Sequence, residues 1–333
     1  MTEFVSVALD EVRTALNAIC LRYGLTAVEA ELVVENYLDA ELRGVRSHGV
    51  FKFLTLPAAI QGRQGKPHLV RDRGFAALVD GERELGILAA QYCVDLAVAR
   101  AKDYGLGLIG LRNASRYGRV APFGVQIAKA GMFGMITNTG GRFVAPSGSV
   151  SPVLGVNPLC VALPQGDDSE PFVADFTPAE GVWSEVLLAQ FEGRDLPPNV
   201  FVDAQDQYTT HPSEAVAIHP VGGPKGLIML LMLEALSSTL IGTRTAHLAR
   251  TEYDLGFLFL AINPNLYRDD THHVMEEMSE LIQAVADVPT LGSSAPRRMP
   301  GQRGAVQRQA ALERGAIDLH PRLWSQIQAL ANH

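Results

Sequence analysis

Gly105-Leu-Gly107-Leu-Ile-Gly110 is the stretch whose reading decides the fold. Its spacing is GxGxxG, the form of a dinucleotide-binding turn. That turn needs a strand before the glycines and a helix opening at them, so that helix N–H groups meet a pyrophosphate. Here the order is inverted. Gln91 to Tyr104 carries helical periodicity and stops at Gly105, a normal helix-ending residue. Gly107 to Leu111 then reads as a strand. The helix N-terminus that would hold a phosphate is missing, so these glycines are read as a helix C-cap followed by a glycine-rich strand.

Upstream, Leu9 to Tyr23 and Thr26 to Leu42 have apolar residues at helical spacing, and Thr26-x-x-Glu29 is a capping box. Downstream, Gly131–Thr137, Leu159–Leu163, Phe172–Asp175 and Gly256–Ala261 are short apolar runs separated by Gly, Pro and Asn, and read as strands. Helices are expected over 225–241 and 271–286, a loop over 291–304, and a closing amphipathic helix over 321–331. Helices and short strands alternate, so the class is α/β.

The chain has 333 residues, 47% of them hydrophobic and 19% charged, enough apolar material for about two domains and too little charge for disorder. The net charge of −8 comes with no basic stripe, which argues against nucleic-acid binding. Three scattered cysteines (Cys20, Cys93, Cys160) make no disulfide framework and fit a reducing, cytoplasmic compartment. The start of the chain shows no basic, apolar leader pattern. Leu227–Ile241 is too short to cross a membrane and contains Glu234, so it is expected as a buried helix. No metal set is legible: HExxH is absent, and His272 and His273 are adjacent and cannot share a helix face. There is no GxSxG elbow.

Six polar segments could carry chemistry, each with a plain structural alternative. Ser47-His48-Gly49, just past a helix, puts an imidazole beside a hydroxyl, as a proton-transfer site needs; a surface histidine is the alternative. Arg112 to Gly118 crowds polar groups at a strand end, facing a cleft or solvent. Gly155-Val-Asn157-Pro158 and Asp175-Phe-Thr177 lie at strand edges, where Asn-Pro and Asp also serve ordinary turns. Lys225, opening an apolar helix after Gly222-Gly-Pro, could meet an anion or simply begin the helix. Arg297 to Arg303 is a basic cluster in an acidic chain, able to grip a phosphate or carboxylate or to remain solvated.

In order and spacing these segments resemble the type-2 malate/L-lactate dehydrogenase family, which includes sulfolactate and ureidoglycolate dehydrogenases and Δ1-piperideine-2-carboxylate reductases. The resemblance covers nearly the whole chain. It runs through Leu42-Arg-Gly-Val-Arg-Ser-His-Gly-Val50, Arg112-Asn to Gly118, Thr137-Asn-Thr, Val144-Ala-Pro146, Gly155-Val-Asn-Pro-Leu159, Asp175-Phe-Thr, Gly223-Pro-Lys-Gly226 and Arg298-Met-Pro-Gly301. It implies NADP or NAD bound in a non-Rossmann α/β domain (76–304). It also implies a mainly helical domain from both chain ends (1–75 and 305–333) and a homodimer. His48 would be the proton donor, Ser47 its neighbour, and Glu185 the acid completing a relay. The cofactor would touch Lys52, Tyr117, Gly118, Arg119, Val120, Asp175, Phe176, Thr177, Lys225, Arg298, Pro300, Gly301 and Gln302. A small carboxylate substrate would meet Arg116, Arg142, Val156 and Asn157. Lys52, Arg298 and Arg303 lean the cofactor toward NADP.

The chain departs from the family pattern around this presumed cleft. Arg116 stands for a His, Lys52 for an Arg, Val156 for a Thr and Gln302 for a Glu, and Gly140-Gly-Arg142 looks inserted. The stretch 184–203 matches poorly. An arginine cannot act as a base at neutral pH. These changes point to a substrate bulkier or more anionic than malate. A scaffold repurposed for non-redox chemistry or ligand binding alone is the competing reading.

Overall fold

A computed structural model describes residues 4–165, 171–289 and 299–332. In chain order its elements are β1 (Val5–Ala8), α1 (Leu9–Arg22), α2 (Ala27–Leu42), α3 (Leu56–Gln61), β2 (His68–Arg73), β3 (Ala76–Glu84), α4 (Gly86–Tyr104), β4 (Leu106–Ala114), α5 (Ala121–Lys129), β5 (Phe133–Asn138), β6 (Leu159–Leu163), β7 (Phe172–Phe176), α6 (Trp183–Glu192), β8 (Phe201–Val202), β9 (Tyr208–Thr209), β10 (Ala217–Ile218), α7 (Pro224–Glu234), β11 (Gly256–Ile262), α8 (Thr271–Ala286), α9 (Gln302–Arg314), β12 (Ala316–Leu319) and α10 (Pro321–Asn332).

Seven strands form the main sheet in the order β2-β3-β4-β11-β5-β6-β7. Only β3 and β4 run parallel; the other pairings are antiparallel. This mixed sheet differs from a doubly wound parallel one, and the decoy glycines show why. Gly105 ends α4 in the left-handed region at φ 79°. Gly107 lies under α4 so closely that a Cβ would stand 2.0 Å from the Ala97 carbonyl oxygen. These glycines let α4 fold back flat on β4, and no helix N-terminus opens at them.

The two chain ends meet. β1 pairs antiparallel with β12, Val5 opposite Leu319, a pairing of four-residue strands too short to announce itself in sequence. α1 and α2 pack there with α10 around Val12, Leu16, Ile19, Val33, Leu38 and Ile327, all buried. The Thr26 capping box forms as expected, with Thr26 N donating to Glu29 Oε2 at 2.9 Å. A smaller core, Val144, Leu154, Phe201, Ile218 and Leu230, sits beneath the small sheet β10-β8-β9.

Several expectations need correction. The boundary expected at residue 75 falls inside the β2–β3 hairpin, because β2 is a strand of the main sheet. α9 begins at Gln302, within the segment expected as loop. α4 begins at Gly86, five residues early, since its first turn is anchored from outside by Ser115 Oγ accepting the Gly86 N–H at 3.0 Å. The apolar segment 227–241 is not wholly buried. In α7, Ile228, Leu231 and Met232 are 67%, 51% and 51% exposed, because only one face meets the small core.

Candidate functional site

The site is a cleft of about 1240 Å³, with His48 in its wall. α2 ends at Leu42, and Arg46–His48 forms a 3₁₀ turn that carries the imidazole. Glu41 holds this turn from below. Its Oε2 accepts the Val50 N–H at 2.8 Å, and a Cβ on residue 49 would stand 2.1 Å from that oxygen, so only glycine fits there. Arg46 ties the turn to α6 through the buried Glu192 and lies 3.9 Å from Glu41 Oε1. Burial, together with the charge of Glu192, raises the Glu41 carboxyl to about 7 despite the nearby Arg46.

Two hydroxyls flank the His48 ring. Ser47 Oγ lies 3.2 Å from Nδ1 and Ser184 Oγ 3.5 Å from Nε2. The second is at the outer limit of a hydrogen bond. Burial lowers the ring's pKa to about 3, helped by the charges of Lys52 and Arg119. The imidazole is therefore neutral at pH 7.

Four cations line the same cleft: Lys52, Arg116, Arg119 and the exposed Arg322, which lies over the Phe191 ring. Lys52 is lowered to about 8, first by its own burial and then by Arg116. Neither side chain has an ion-pair partner among the described residues. Close cations left unpaired repel, and an anionic ligand relieves both. Arg119 differs. It is held 3.1 Å from Asp39 and 3.9 Å from Asp175. Asp175 also accepts the Ala121 N–H at 3.0 Å, capping α5, and burial raises its carboxyl.

The folded chain brings many of the sequence-selected residues together. His48, Lys52, Arg116, Tyr117, Gly118, Arg119, Val120, Val156, Asp175, Phe176 and Thr177 all line this cleft. Ser47 is buried behind His48. Tyr117 donates its hydroxyl proton to Asn138 Oδ1 at 2.8 Å. Thr177 donates to the Val156 carbonyl.

Others fall elsewhere. Glu185 reaches Arg194 at 2.5 Å, not His48; Ser184 takes the place at Nε2. Arg142 is exposed and outside the cleft lining. Asn157 is fully buried behind it, accepting the Gly140 N–H at 2.9 Å and donating to Glu234 at 2.7 Å. Its role is the turn chemistry that Asn-Pro commonly serves. Lys225 is exposed at the start of α7, away from the lining. Pro300, Gly301 and Gln302 do not line the cleft either; Gly301 lies against Val173 O, and Gln302 accepts the Met299 N–H at 2.9 Å. Arg298 lies outside the described residues.

Sequence reasoning missed the α6 side of the site: Trp183, Ser184 and Leu187, with Phe143 opposite. Trp183 and Phe143 stack with centroids 4.9 Å apart and planes 5° off parallel. The one signal was that the chain has only two tryptophans. Nothing linear ties position 183 to position 48.

A neutral imidazole between two hydroxyls thus shares one cleft with Lys52 and Arg116, neither ion-paired among the described residues. Comparison with known proteins gives the class. The malate/L-lactate dehydrogenase family model matches residues 7–328, and the chain belongs to that family. It is 25% identical to the malate/(S)-sulfolactate dehydrogenase of Methanothermus fervidus, over 98% of this chain and 97% of the relative. It is 29% identical to the Δ1-pyrroline-2-carboxylate reductase 1 of Burkholderia ambifaria, over 73% of each chain. The crystal structure of a dehydrogenase from Sinorhizobium meliloti superposes with a TM-score of 0.90 at 25% identity, covering 98% of each chain. The family comprises dehydrogenases and reductases of hydroxy/oxo acids and cyclic imine carboxylates, and this chain shares its fold. No helix among the described residues is long and apolar enough to cross a membrane.

Proposed function

We propose that this protein is an NADPH- or NADH-dependent oxidoreductase. It interconverts a 2-oxo acid and its 2-hydroxy acid, or reduces a cyclic imine carboxylate, with His48 moving the proton. The observation that carries this reading is the shared cleft of His48, Lys52 and Arg116. Its volume of about 1240 Å³ exceeds the roughly 300–1000 Å³ of a usual small-ligand pocket. That leaves room for a dinucleotide beside a small acid. Arg119 suits the cofactor's phosphates, and residues 117–120 and 175–177 offer backbone at the same wall.

Bound there, a nicotinamide cofactor supplies or removes the hydride at the substrate carbon. The chain supplies the rest. Arg116 and Lys52 hold the substrate carboxylate, and fixing it orients the reacting carbon. His48 Nε2 faces the cleft beside Ser184, which lines it, whereas Ser47 on the Nδ1 side is buried. In the oxidation direction, the hydroxyl proton passes to Nε2 of the neutral ring as hydride leaves carbon. In reduction, the imidazolium returns it to the oxygen or nitrogen on which negative charge builds. Ligand anions at Lys52 and Arg119 offset the positive field that adds to burial in lowering His48, and so favour the protonated ring.

Titration with NADH and NADPH, followed by nicotinamide fluorescence, tests the reading. Micromolar binding of one cofactor, with its oxidation by a 2-oxo acid or cyclic imine, is expected. A folded protein that binds neither would overturn it and leave the ligand-binding alternative. The same proposal includes a homodimer, with the exposed apolar face of α7 as the contact. Ile228→Asp in α7 should then shift the sedimentation coefficient from dimer to monomer.

A further inference from the structure

One arm of the cleft is unused by the proton and anion chemistry. Phe143 and Trp183 form its wall, stacked face to face. Val156 packs beside them, and Leu187, one helical turn beyond Trp183, completes the arm while staying 45% exposed. The arm adjoins both polar parts of the site. Ser184, next in chain to Trp183, reaches His48 Nε2 at 3.5 Å. At Gly141 the vacant Cβ position lies 2.6 Å from the Phe143 ring and 3.0 Å from Arg116 Nη2, so guanidinium and ring flank one residue.

None of Phe143, Val156, Trp183 and Leu187 is charged; the cleft lining also holds Arg116, beside Phe143, and Arg322, over the Phe191 ring. The acids of α6 turn away from the arm: Glu185 pairs with Arg194, and Glu192 with Arg194 and Arg46. A second carboxylate or a sulfonate laid against these four apolar side chains would be desolvated with none of them to pair it, an unfavourable transfer. A flat apolar group would instead meet an aromatic face already ordered by stacking.

We propose that the preferred substrate is a 2-oxo acid, or its 2-hydroxy acid, with a large apolar, aromatic side chain. Its carboxylate lies on Arg116 and Lys52, its oxo oxygen at His48 Nε2 and its side chain against Phe143, Trp183 and Leu187. Between a bulkier and a more anionic substrate, the geometry selects the bulkier. This inference rests on the oxidoreductase reading above. The reaction balances as 2-oxo acid plus reduced nicotinamide plus one proton giving 2-hydroxy acid plus oxidised nicotinamide: hydride goes to C2 and the His48 proton to oxygen.

Two readouts test it. The first needs no turnover. The chain has two tryptophans, Trp183 and Trp324, so Trp324→Phe leaves Trp183 as the sole tryptophan, read by excitation at the red edge where tyrosine does not absorb. Titration with 3-phenyllactate should quench Trp183 at least tenfold more tightly than titration with malate; equal or weaker response would overturn the inference. The second compares kcat/KM for phenylpyruvate and oxaloacetate with NADH and NADPH. At least a tenfold preference for phenylpyruvate is expected, and Trp183→Ala should cut the phenylpyruvate-to-pyruvate ratio at least tenfold. Preference for oxaloacetate, or an unchanged ratio in the variant, would refute the arm's role while leaving the oxidoreductase reading standing. If no 2-oxo acid or imine is reduced and neither cofactor binds, the oxidoreductase reading fails, and the Trp183 titration still decides whether the arm takes an aromatic acid.

Discussion

Lys52 should make the unliganded protein less stable than it would be without that charge. Its ammonium pKa falls from the usual 10.5 to about 8, because burial and Arg116 both disfavour the cation. One unit is worth about 1.4 kcal/mol, so the full shift corresponds to about 3 kcal/mol. The cleft is open on one side and water there reduces the cost, leaving about 1–3 kcal/mol. A folded-state pKa below the unfolded value means that the cost is fully present below pH 8. It fades as pH rises from 8 to 10.5, where the ammonium deprotonates in both states. Lys52→Met keeps the length and apolar stem and deletes the charge. At pH 7 the variant should unfold about 2–6 °C above the wild type, the gap closing by pH 10.5. Arg116→Ala should narrow the gap, since one contributor to the shift is then gone. The same Lys52→Met change should weaken binding of the carboxylate substrate about tenfold or more. Differential scanning calorimetry at pH 7, 8.5 and 10 reads the first effect. A variant less stable than wild type at pH 7, or a gap that ignores pH, would refute the reasoning.

His48→Gln should lower kcat for the 2-oxo acid by roughly 10²–10⁴-fold with the nicotinamide Kd within about twofold; a kcat within a factor of three of wild type would remove His48 from the proton path. Glu41, raised to about 7 from the usual 4.5 by burial, contributes a cost that appears as pH climbs from 4.5 through 7. Glu41→Gln should therefore flatten stability over that window, whereas Glu41→Ala should cost about 1–3 kcal/mol by stranding the Val50 N–H; denaturant melts at pH 4.5 and 7 separate the two. Gly107→Ala should cost about 1–3 kcal/mol, because its Cβ would meet Ala97 O at 2.0 Å. An unchanged urea midpoint would mean that α4 has room to lift from β4.

The helices and the apolar central strands were legible in the chain, because each leaves a local period. The inverted order around Gly105 was enough to reject a dinucleotide turn. The four-residue pairing of β1 with β12 was not legible, since its strands satisfy each other across the whole chain length. Nor was the start of α4, anchored by Ser115.

The site divides in the same way. Residue types and spacing by themselves picked out Ser47-His48 and the polar strand ends, because proton transfer and anion binding need particular side chains. Which of those side chains share a space was a tertiary decision. Asn157 satisfies buried backbone instead of facing a ligand, Glu185 is taken by Arg194, and Arg142 and Lys225 point to solvent. The second hydroxyl at His48 and Trp183 of the aromatic arm come from α6, more than 130 residues away in the chain. Sequence determines local conformation through short-range sterics and periodic burial. Only packing of the whole chain brings α6 against the His48 turn, because the Arg46–Glu192 pair that joins them exists in the folded state alone.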